Sequence, residues 1–470
     1  MKRENIILLI IMIGTLMAAI DSSVVLLALP TITTSLSATL ASSIWTILIY
    51  LLVLSVVTIQ LGRLGDIYGR GRIFNLGFAV FTLGSFLCGA STTMEQLIIF
   101  RVIQAVGAAM LGATSSAIIA DTFNKQGMGR AYGYTAVGYS VGAALGIVLG
   151  GFITALVGWQ YIFYINVPFG IIALIFGVRY IKDDKEVNAN TDILGMILLA
   201  VGLSMITYGG VDFAANGLTT MNLWMVVIGF VITGLFLYRE MIAKSPMIDF
   251  RSLKNRILKL SIAAAFLQSV GYMSIVFLLI LYMQGIKGLS PLNASLLLVP
   301  GYILTSLISP SVGRYADRHG SRLPATVGLL LMCAAVLVYY TLGASSPDYL
   351  IVAGSIIAGV GAAMFWPSNN RAVMTHADPK SLGSTSGVLR FVSNIGMIGS
   401  YILMITVASA SISRADAFSV FLGTSNLIGG VSDAFLTGIH SAMFISFVVL
   451  LIAAVMSWHR GKEDIQKKDL

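Results

Sequence analysis

Gly62-Arg63-Leu64-Gly65-Asp66-Ile67-Tyr68-Gly69-Arg70 is one of two copies of a short pattern in this chain. The second is Gly313-Arg314-Tyr315-Ala316-Asp317-Arg318-His319-Gly320-Ser321. Each sets an acid among glycines and arginines, and each follows an apolar run long enough to cross a bilayer. A pattern repeated at the same place after two apolar helices says that the chain consists of two similar halves.

Composition agrees. The chain has 470 residues, of which 57% are hydrophobic and 10% are charged. A soluble domain has about 45–50% apolar and about 25% charged residues. The charged surface of a large soluble enzyme is therefore missing, and the high hydrophobicity excludes a disordered chain. A mean hydropathy of +0.90 points to a polytopic membrane protein. The apolar runs are continuous and do not alternate, which selects helices over a barrel. The net charge of +9 lacks the clustering of a nucleic-acid face. Cys88 and Cys333 lie in apolar runs, and His319, His376, His440 and His459 are scattered. No metal, cofactor or disulfide framework is expected. No phosphate-binding loop of an ATP motor occurs. Met1 to Ile20 resembles a signal peptide, but the apolar run continues past Asp21 without a cleavage site, so it reads as a retained first helix.

Runs of spanning length fall near 6–30, 43–61, 73–92, 95–120, 131–156, 160–180 and 192–211. Others fall near 222–240, 258–284, 292–313, 323–342, 349–370, 382–410 and 436–458. The expectation is fourteen spans. An even number puts both termini on one side, and 25 of the 29 Lys and Arg residues then fall on that side. Only Lys287 and Arg414 lie in loops of the opposite side, and Arg101 and Arg390 lie within spans. Excess positive charge marks the cytoplasmic face. The expected organisation is an N-terminal six-helix bundle over 1–183, two inserted helices over 184–244, and a C-terminal six-helix bundle over 245–470. Segment 411–435 is expected as an outer hairpin or interfacial helix.

Several stretches carry a family resemblance. Gly62 to Arg72 resembles the loop motif of the major facilitator superfamily. Ala19-Ile20-Asp21-Ser22-Ser23-Val24-Val25 with Ala28-Leu29-Pro30 resembles the first-helix signature of its fourteen-helix drug:proton antiporters. Trp159 to Pro168 is similar to that family's sixth-helix signature, and Asp192 to Gly195 and Pro246 to Asp249 match further segments. Two departures stand out. The fifth span reads Gly146-Ile147-Val148-Leu149-Gly150-Gly151, without the proline of the antiporter pattern. The thirteenth span has no acid and carries Arg390. The resemblance implies an all-α polytopic membrane protein with the major facilitator fold, two six-helix bundles plus two central inserted helices.

Asp21 stands about 22 Å along the first span, at about 1.5 Å per residue. A carboxylate at that depth costs several kcal/mol unless paired, hydrated or protonated. It is a candidate proton carrier or one half of a permanent ion pair. Arg101, in Arg101-Val102-Ile103-Gln104 with Gly107, resembles a fourth-helix motif and is the expected partner. Arginine keeps its charge, so it cannot carry the proton. The pair is expected to form in one conformation and to separate in another. Asp66, Arg70 and Asp317 are expected to hold a cytoplasmic gate, through Asp66–Arg70 pairing or by capping a facing helix. Gly142, Gly146 and Gly150, continuing a rail from Gly138, invite a close helix neighbour. The resemblance implies that this neighbour lies across the bundle interface. Arg390 can snorkel to the cytoplasmic face or face a cavity. Asn369, Asn370, Asn394, Gln60, Gln268, Tyr50, Tyr272 and Trp366 are candidates for lining that cavity. Pro300, Pro310 and Pro367 are expected to interrupt the tenth and twelfth spans.

The expected function is export of small amphipathic compounds by proton antiport and alternating access, with no bond made or broken. The expected partners are the substrate, protons and the lipid bilayer, with no nucleic acid. The chain is expected to be a monomer in the plasma (inner) membrane, with both termini cytoplasmic. Alternatives are a dedicated exporter of an anionic metabolite or lipid, a non-transporting receptor on the same scaffold, and an intramembrane enzyme. The last would need a catalytic cluster that the sequence lacks.

Overall fold

A computed structural model describes residues 2–38, 40–124, 127–181, 192–242, 255–409, 431–461 and 463. Among these the regular structure is helical, with no strand. The first set comprises α1 (Arg3–Ser35), α2 (Leu40–Tyr68), α3 (Arg70–Gly89), α4 (Met94–Thr122), α5 (Met128–Leu156), α6 (Tyr161–Tyr164) and α7 (Asn166–Tyr180). A pair follows, α8 (Ile193–Asn216) and α9 (Thr220–Ile242). The last set comprises α10 (Arg256–Leu281), α11 (Pro291–Leu296), α12 (Val299–His319), α13 (Arg322–Tyr340), α14 (Asp348–Thr375), α15 (Leu382–Ser409) and α16 (Val431–His459). Most of segment 411–435, and the expected boundaries between the bundles and the insert, lie outside the described residues.

Twelve of these helices are long and apolar enough to cross a membrane, against an expectation of fourteen. α8 offers only the shorter apolar stretch Leu194–Gly210, and the first half of α15 is diluted by Ser384, Thr385, Ser386, Arg390, Ser393 and Asn394. The outward faces are apolar: Ile175, Phe230 and Leu307 all stand exposed. Helices apolar on every side belong in lipid.

The two sets pack by one plan. In the first, α1 pairs with α5, α3 with α4, α2 with α4, and α7 with both α1 and α3. In the second, α10 pairs with α15, α13 with α14, α12 with α14, and α16 with both α10 and α13. The sets meet crosswise, α2 against α15 and α5 against α12. The repeated motif thus sits on corresponding helices, each facing the other set. α8 and α9 pair with one another, and α8 leans on α2 and α15. Its Tyr208 stacks on Trp45 of α2, with ring centres 5.6 Å apart.

Three local features depart from the sequence reading. The motif that reads as a loop is helical through Tyr68 and again through His319. Only Gly69 (φ 106°) and Gly320 (φ 88°) break the chain, in a backbone region that favours glycine. The sixth span is interrupted between Tyr164 and Asn166, because Pro168 has no N–H to donate to the Tyr164 carbonyl. The tenth span is split into α11 and α12, with Pro300 in the first turn of α12, where its missing N–H is harmless. Pro310 and Pro367 lie inside α12 and α14.

The glycine rail also has a different partner. A Cβ on Gly142 would stand 2.9 Å from the Ala19 Cβ, and one on Gly146 would stand 2.8 Å from the Ile20 carbonyl oxygen. Gly150 meets Val24 and Gly138 meets Met12. The rail therefore seats α1 within its own set and does not touch the opposite one. A four-residue glycine spacing defines a flat helix face but not which helix it meets. The crossing glycines lie nearer the start of α5. A Cβ on Gly129 would stand 2.6 Å from the Gly313 carbonyl oxygen, and one on Gly133 would stand 2.6 Å from that of Ser309.

Asp192 ties the central pair together. Its Oδ1 accepts from the Gly195 N–H at 2.9 Å and from Arg239 Nη2 at 2.8 Å. Burial opposes the charge of Asp192, but Arg239 and the N–H groups outweigh it and hold the carboxyl below the usual range. A group depressed in the folded state stabilises above its unfolded pKa, about 3.9 for Asp. That contribution is lost as pH falls through the folded value. Asp192→Asn removes it at neutral pH, and faster amide hydrogen exchange in the first turn of α8 is the expected reading.

Candidate functional site: a buried charge cluster and a crossed gate

The first site joins α1, α2, α3 and α4. Arg101 Nη1 donates to Asp21 Oδ2 at 2.6 Å and to Gln104 Oε1 at 2.7 Å. Gln104 Nε2 donates to Asp21 Oδ1 and to Ser85 Oγ, both at 2.8 Å. Arg101 Nε reaches the Thr46 carbonyl at 3.2 Å. The Tyr50 ring lies under the guanidinium, 4.1 Å from its centre. Asp21 is 0% exposed and Arg101 is 1% exposed. The cluster forms because Gly84 lets α3 approach α4 closely: a Cβ there would lie 2.6 Å from the Gln104 backbone nitrogen.

With Asp21 ionised, two opposite charges and a matched amide satisfy one another away from water. A proton on Asp21 removes the negative partner and leaves Arg101 buried and unpaired. Breaking a buried pair in that way costs about 3–5 kcal/mol.

The second site lies at the end where both motif copies sit. Asp66 Oδ1 accepts from Arg70 Nη2 at 2.7 Å and from the Gly383 N–H at 2.9 Å. Its Oδ2 accepts from the N–H and the hydroxyl of Ser384, both at 2.8 Å. Asp66 of α2 thus caps the start of α15 in the opposite set. Asp317 of α12 does the same for α5, accepting from the Gly129 N–H at 2.8 Å and the Arg130 N–H at 3.0 Å. Both expectations for Asp66, pairing with Arg70 and capping a facing helix, are met at once. A carboxylate at a helix N-terminus meets free N–H groups and the positive end of the dipole.

The arginines are arranged differently in the two halves. Arg70 bridges Asp66 and Asp121. In the second half Ser321 stands where Arg70 stands in the first, and Arg371 of α14 supplies the charge. It pairs with Asp317 at 3.0 Å and with Glu463 at 2.5 Å. Glu463 also accepts from the Ser321 N–H at 3.0 Å. Glu463 is therefore part of the closed end. Arg460 lies beside it, its Nη1 bonded to Ser261 Oγ and Asn369 Oδ1 at 3.2 Å each and its Nη2 to the Ser321 carbonyl. Burial pushes the Arg460 guanidinium down to about 10, against the pull of Glu463.

Asp66→Ala removes the acceptor from the start of α15 and leaves Arg70 to Asp121 alone, which weakens the closed end. A cysteine at Thr58, sealed there against Gly387, is then expected to react with maleimide at least tenfold faster than in the parent. An unchanged rate would contradict the gate.

The remaining candidates fall into two groups. Tyr50, Gln60, Gln268 and Asn369 are buried. Tyr50 serves Arg101, and Asn369 Nδ2 donates to the Ser261 carbonyl at 3.1 Å. Gln60 and Gln268 each bury an Oε1 without a hydrogen-bond partner. Tyr272, Trp366, Arg390 and Asn394 are partly accessible. Arg371, Asp121, Glu463 and Ser384 escaped the sequence reading. Arg371 stands at the end of the twelfth span, where it counts as one more basic residue of the cytoplasmic side.

The sequence pattern that defines the Major Facilitator Superfamily matches residues 11–400. The chain is 32% identical over 401 residues to the riboflavin transporter RibZ of Clostridioides difficile, covering 84% of this chain and 86% of that one. It is 27% identical to multidrug resistance protein 3 of Bacillus subtilis, covering 95% and 89%. The proton:xylose symporter XylE has a similar fold, with a TM-score of 0.62 at 12% identity, over 98% of this chain and 96% of that one. The fold and the paired sites define a two-set helical membrane carrier. The chain belongs to the Major Facilitator Superfamily and is a multi-pass membrane transporter.

Proposed function

We propose that this chain exports small amphipathic compounds by proton antiport, as a fourteen-helix member of the superfamily. The observation that carries the reading is the sealed Asp21–Arg101–Gln104 cluster. It is an ionisable pair with a built-in reason to rearrange when a proton arrives. In this reading α8 and α15 also span the bilayer, and the three units of the chain are 1–183, 184–244 and 245–470. The basic end carries both termini and faces the cytoplasm of a plasma (inner) membrane, and the chain works as a monomer.

With that orientation the crossed gate is shut on the cytoplasmic side. A proton entering from outside neutralises Asp21 and frees Arg101. The rearranged cluster favours the opposite state, in which Asp66 and Asp317 release the helix starts they cap. The cytoplasmic side then opens, the proton leaves inward and substrate enters. Multidrug resistance proteins and a riboflavin transporter among the relatives support a substrate with a planar or apolar body. Tyr272, Trp366, Gln60, Gln268 and Asn394 are the proposed surroundings of its path, with Asp66, Arg70 and Asp317 as the gate.

The test is transport into inside-out vesicles across a panel of amphipathic dyes, with an imposed pH gradient. Uptake against a dye gradient, collapsed by a proton–potassium exchanger, is the expected result. Uptake that ignores the pH gradient would overturn the coupling.

A further inference from the structure

Among the described residues, the charges deep inside the spans are few. Asp21 and Arg101 neutralise one another. Arg390, in the first half of α15, has neither an ion pair nor a hydrogen bond to any described residue. It lies one turn beyond Gly387, where α15 touches Thr58 and Ile59 of α2. That places it immediately above the closed gate, on the side away from the chain ends.

Its surroundings describe an open space. Arg390 is within electrostatic reach of Tyr132 and Tyr139 on α5, across the interface between the two sets. Tyr132 is buried and donates to the Ser116 carbonyl of α4 at 2.9 Å. Tyr139, two turns further along the same face, is 48% exposed. Gly112, one turn from Ser116 on nearly the same face of α4, has no atom within 4 Å of where a Cβ would stand. A partly accessible arginine of α15 thus stands within electrostatic reach of an accessible phenol of α5, and α4 carries an open glycine one turn from the Ser116 carbonyl that Tyr132 binds. Snorkelling to the cytoplasmic surface is blocked, because the closed gate lies between Arg390 and that surface. A guanidinium in such a place without a counter-charge is costly, and an anion beside it relieves the cost. Arginine's planar fork also matches a carboxylate or phosphate in two parallel hydrogen bonds.

We propose that Arg390, with Tyr139 beside it, holds the anionic group of the transported compound, so that the preferred substrates are amphipathic organic anions. The apolar body of the ligand then lies along Gly112 and the partly accessible Tyr272 and Trp366. The inference rests on the reading of the chain as an exporter, but concerns binding alone and is tested without a proton gradient.

The probes are fluorescein and tetramethylrhodamine methyl ester, which share a xanthene skeleton and are anionic and cationic respectively. Binding to the purified protein in detergent is measured by fluorescence anisotropy. The wild type is expected to prefer fluorescein. Arg390→Ala is expected to weaken fluorescein binding at least tenfold, to leave the rhodamine ester unchanged or tighter, and to be partly rescued in Arg390→Lys. A wild type without preference for fluorescein would overturn the proposal, as would an Arg390→Ala variant that binds it normally. Failure of pH-driven transport with this binding pattern intact would count against proton antiport and not against the anion site.

Discussion

Gly313→Val is expected to hold open the end of the molecule where Asp66 and Asp317 cap the facing helices. A side chain at Gly313 collides with the Gly129 carbonyl oxygen, and one at Gly62 collides with that of Gly383. Both obstacles are backbone, so no flexible side chain can yield. Overpacking a tight contact costs about 1–3 kcal/mol or more, and each 1.4 kcal/mol is roughly tenfold in a two-state population. The clash exists only where the two sets meet, so it burdens the closed state alone. Spin labels at the exposed positions Asn124 and Arg318 report it. The parent is expected to show a single short distance by electron double resonance, and Gly313→Val a long one, with transport reduced at least tenfold. Gly234 on α9 has open space around it, and Gly234→Ala is the control expected to leave both readings unchanged.

Asp21→Asn is expected to abolish pH-driven transport while leaving exchange intact. The amide oxygen can still accept from one of Arg101 and Gln104, which both donate to the Asp21 carboxylate, but the amide cannot gain or lose the proton. Equilibrium exchange of labelled substrate needs no net proton movement and is expected within a few-fold of the parent. Accumulation against a gradient, which needs one, is expected to fall to background. Arg101→Ala differs. It strands Asp21 as a buried unpaired charge, at about 3–5 kcal/mol, and its expected phenotype is loss of folded protein. Arg101→Lys restores the charge but not the fork that reaches Asp21, Gln104 and Thr46 together.

Much of this was legible in the chain. The paired motif announced two similar halves, which the matching packing of the two helix sets bears out. Asp21 and Arg101 stood out because charges deep in apolar runs are rare. The rest was hidden for physical reasons. A glycine every fourth residue makes a smooth helix face, and α1 and the helices of the other set are equally good partners for it. Asn369 reads alike whether it faces a cavity or, as here, joins the Ser261 carbonyl and Arg460. The gate's second half escaped because Arg371, Glu463 and Ser321 come from separate elements, and α14 supplies a charge that Ser321 cannot. The motif's helical character was obscured by its glycines, which suggest a loop when only Gly69 and Gly320 leave the helix.

In the proposed cycle one proton on Asp21 decides which way the carrier faces. The most direct measurement is the label distance between Asn124 and Arg318 as a function of pH, in the parent and in Asp21→Asn. The parent is expected to shift from the short to the long distance on acidification, and the variant's distance distribution is expected to ignore pH. A variant that retains the parent's pH response would contradict the cycle.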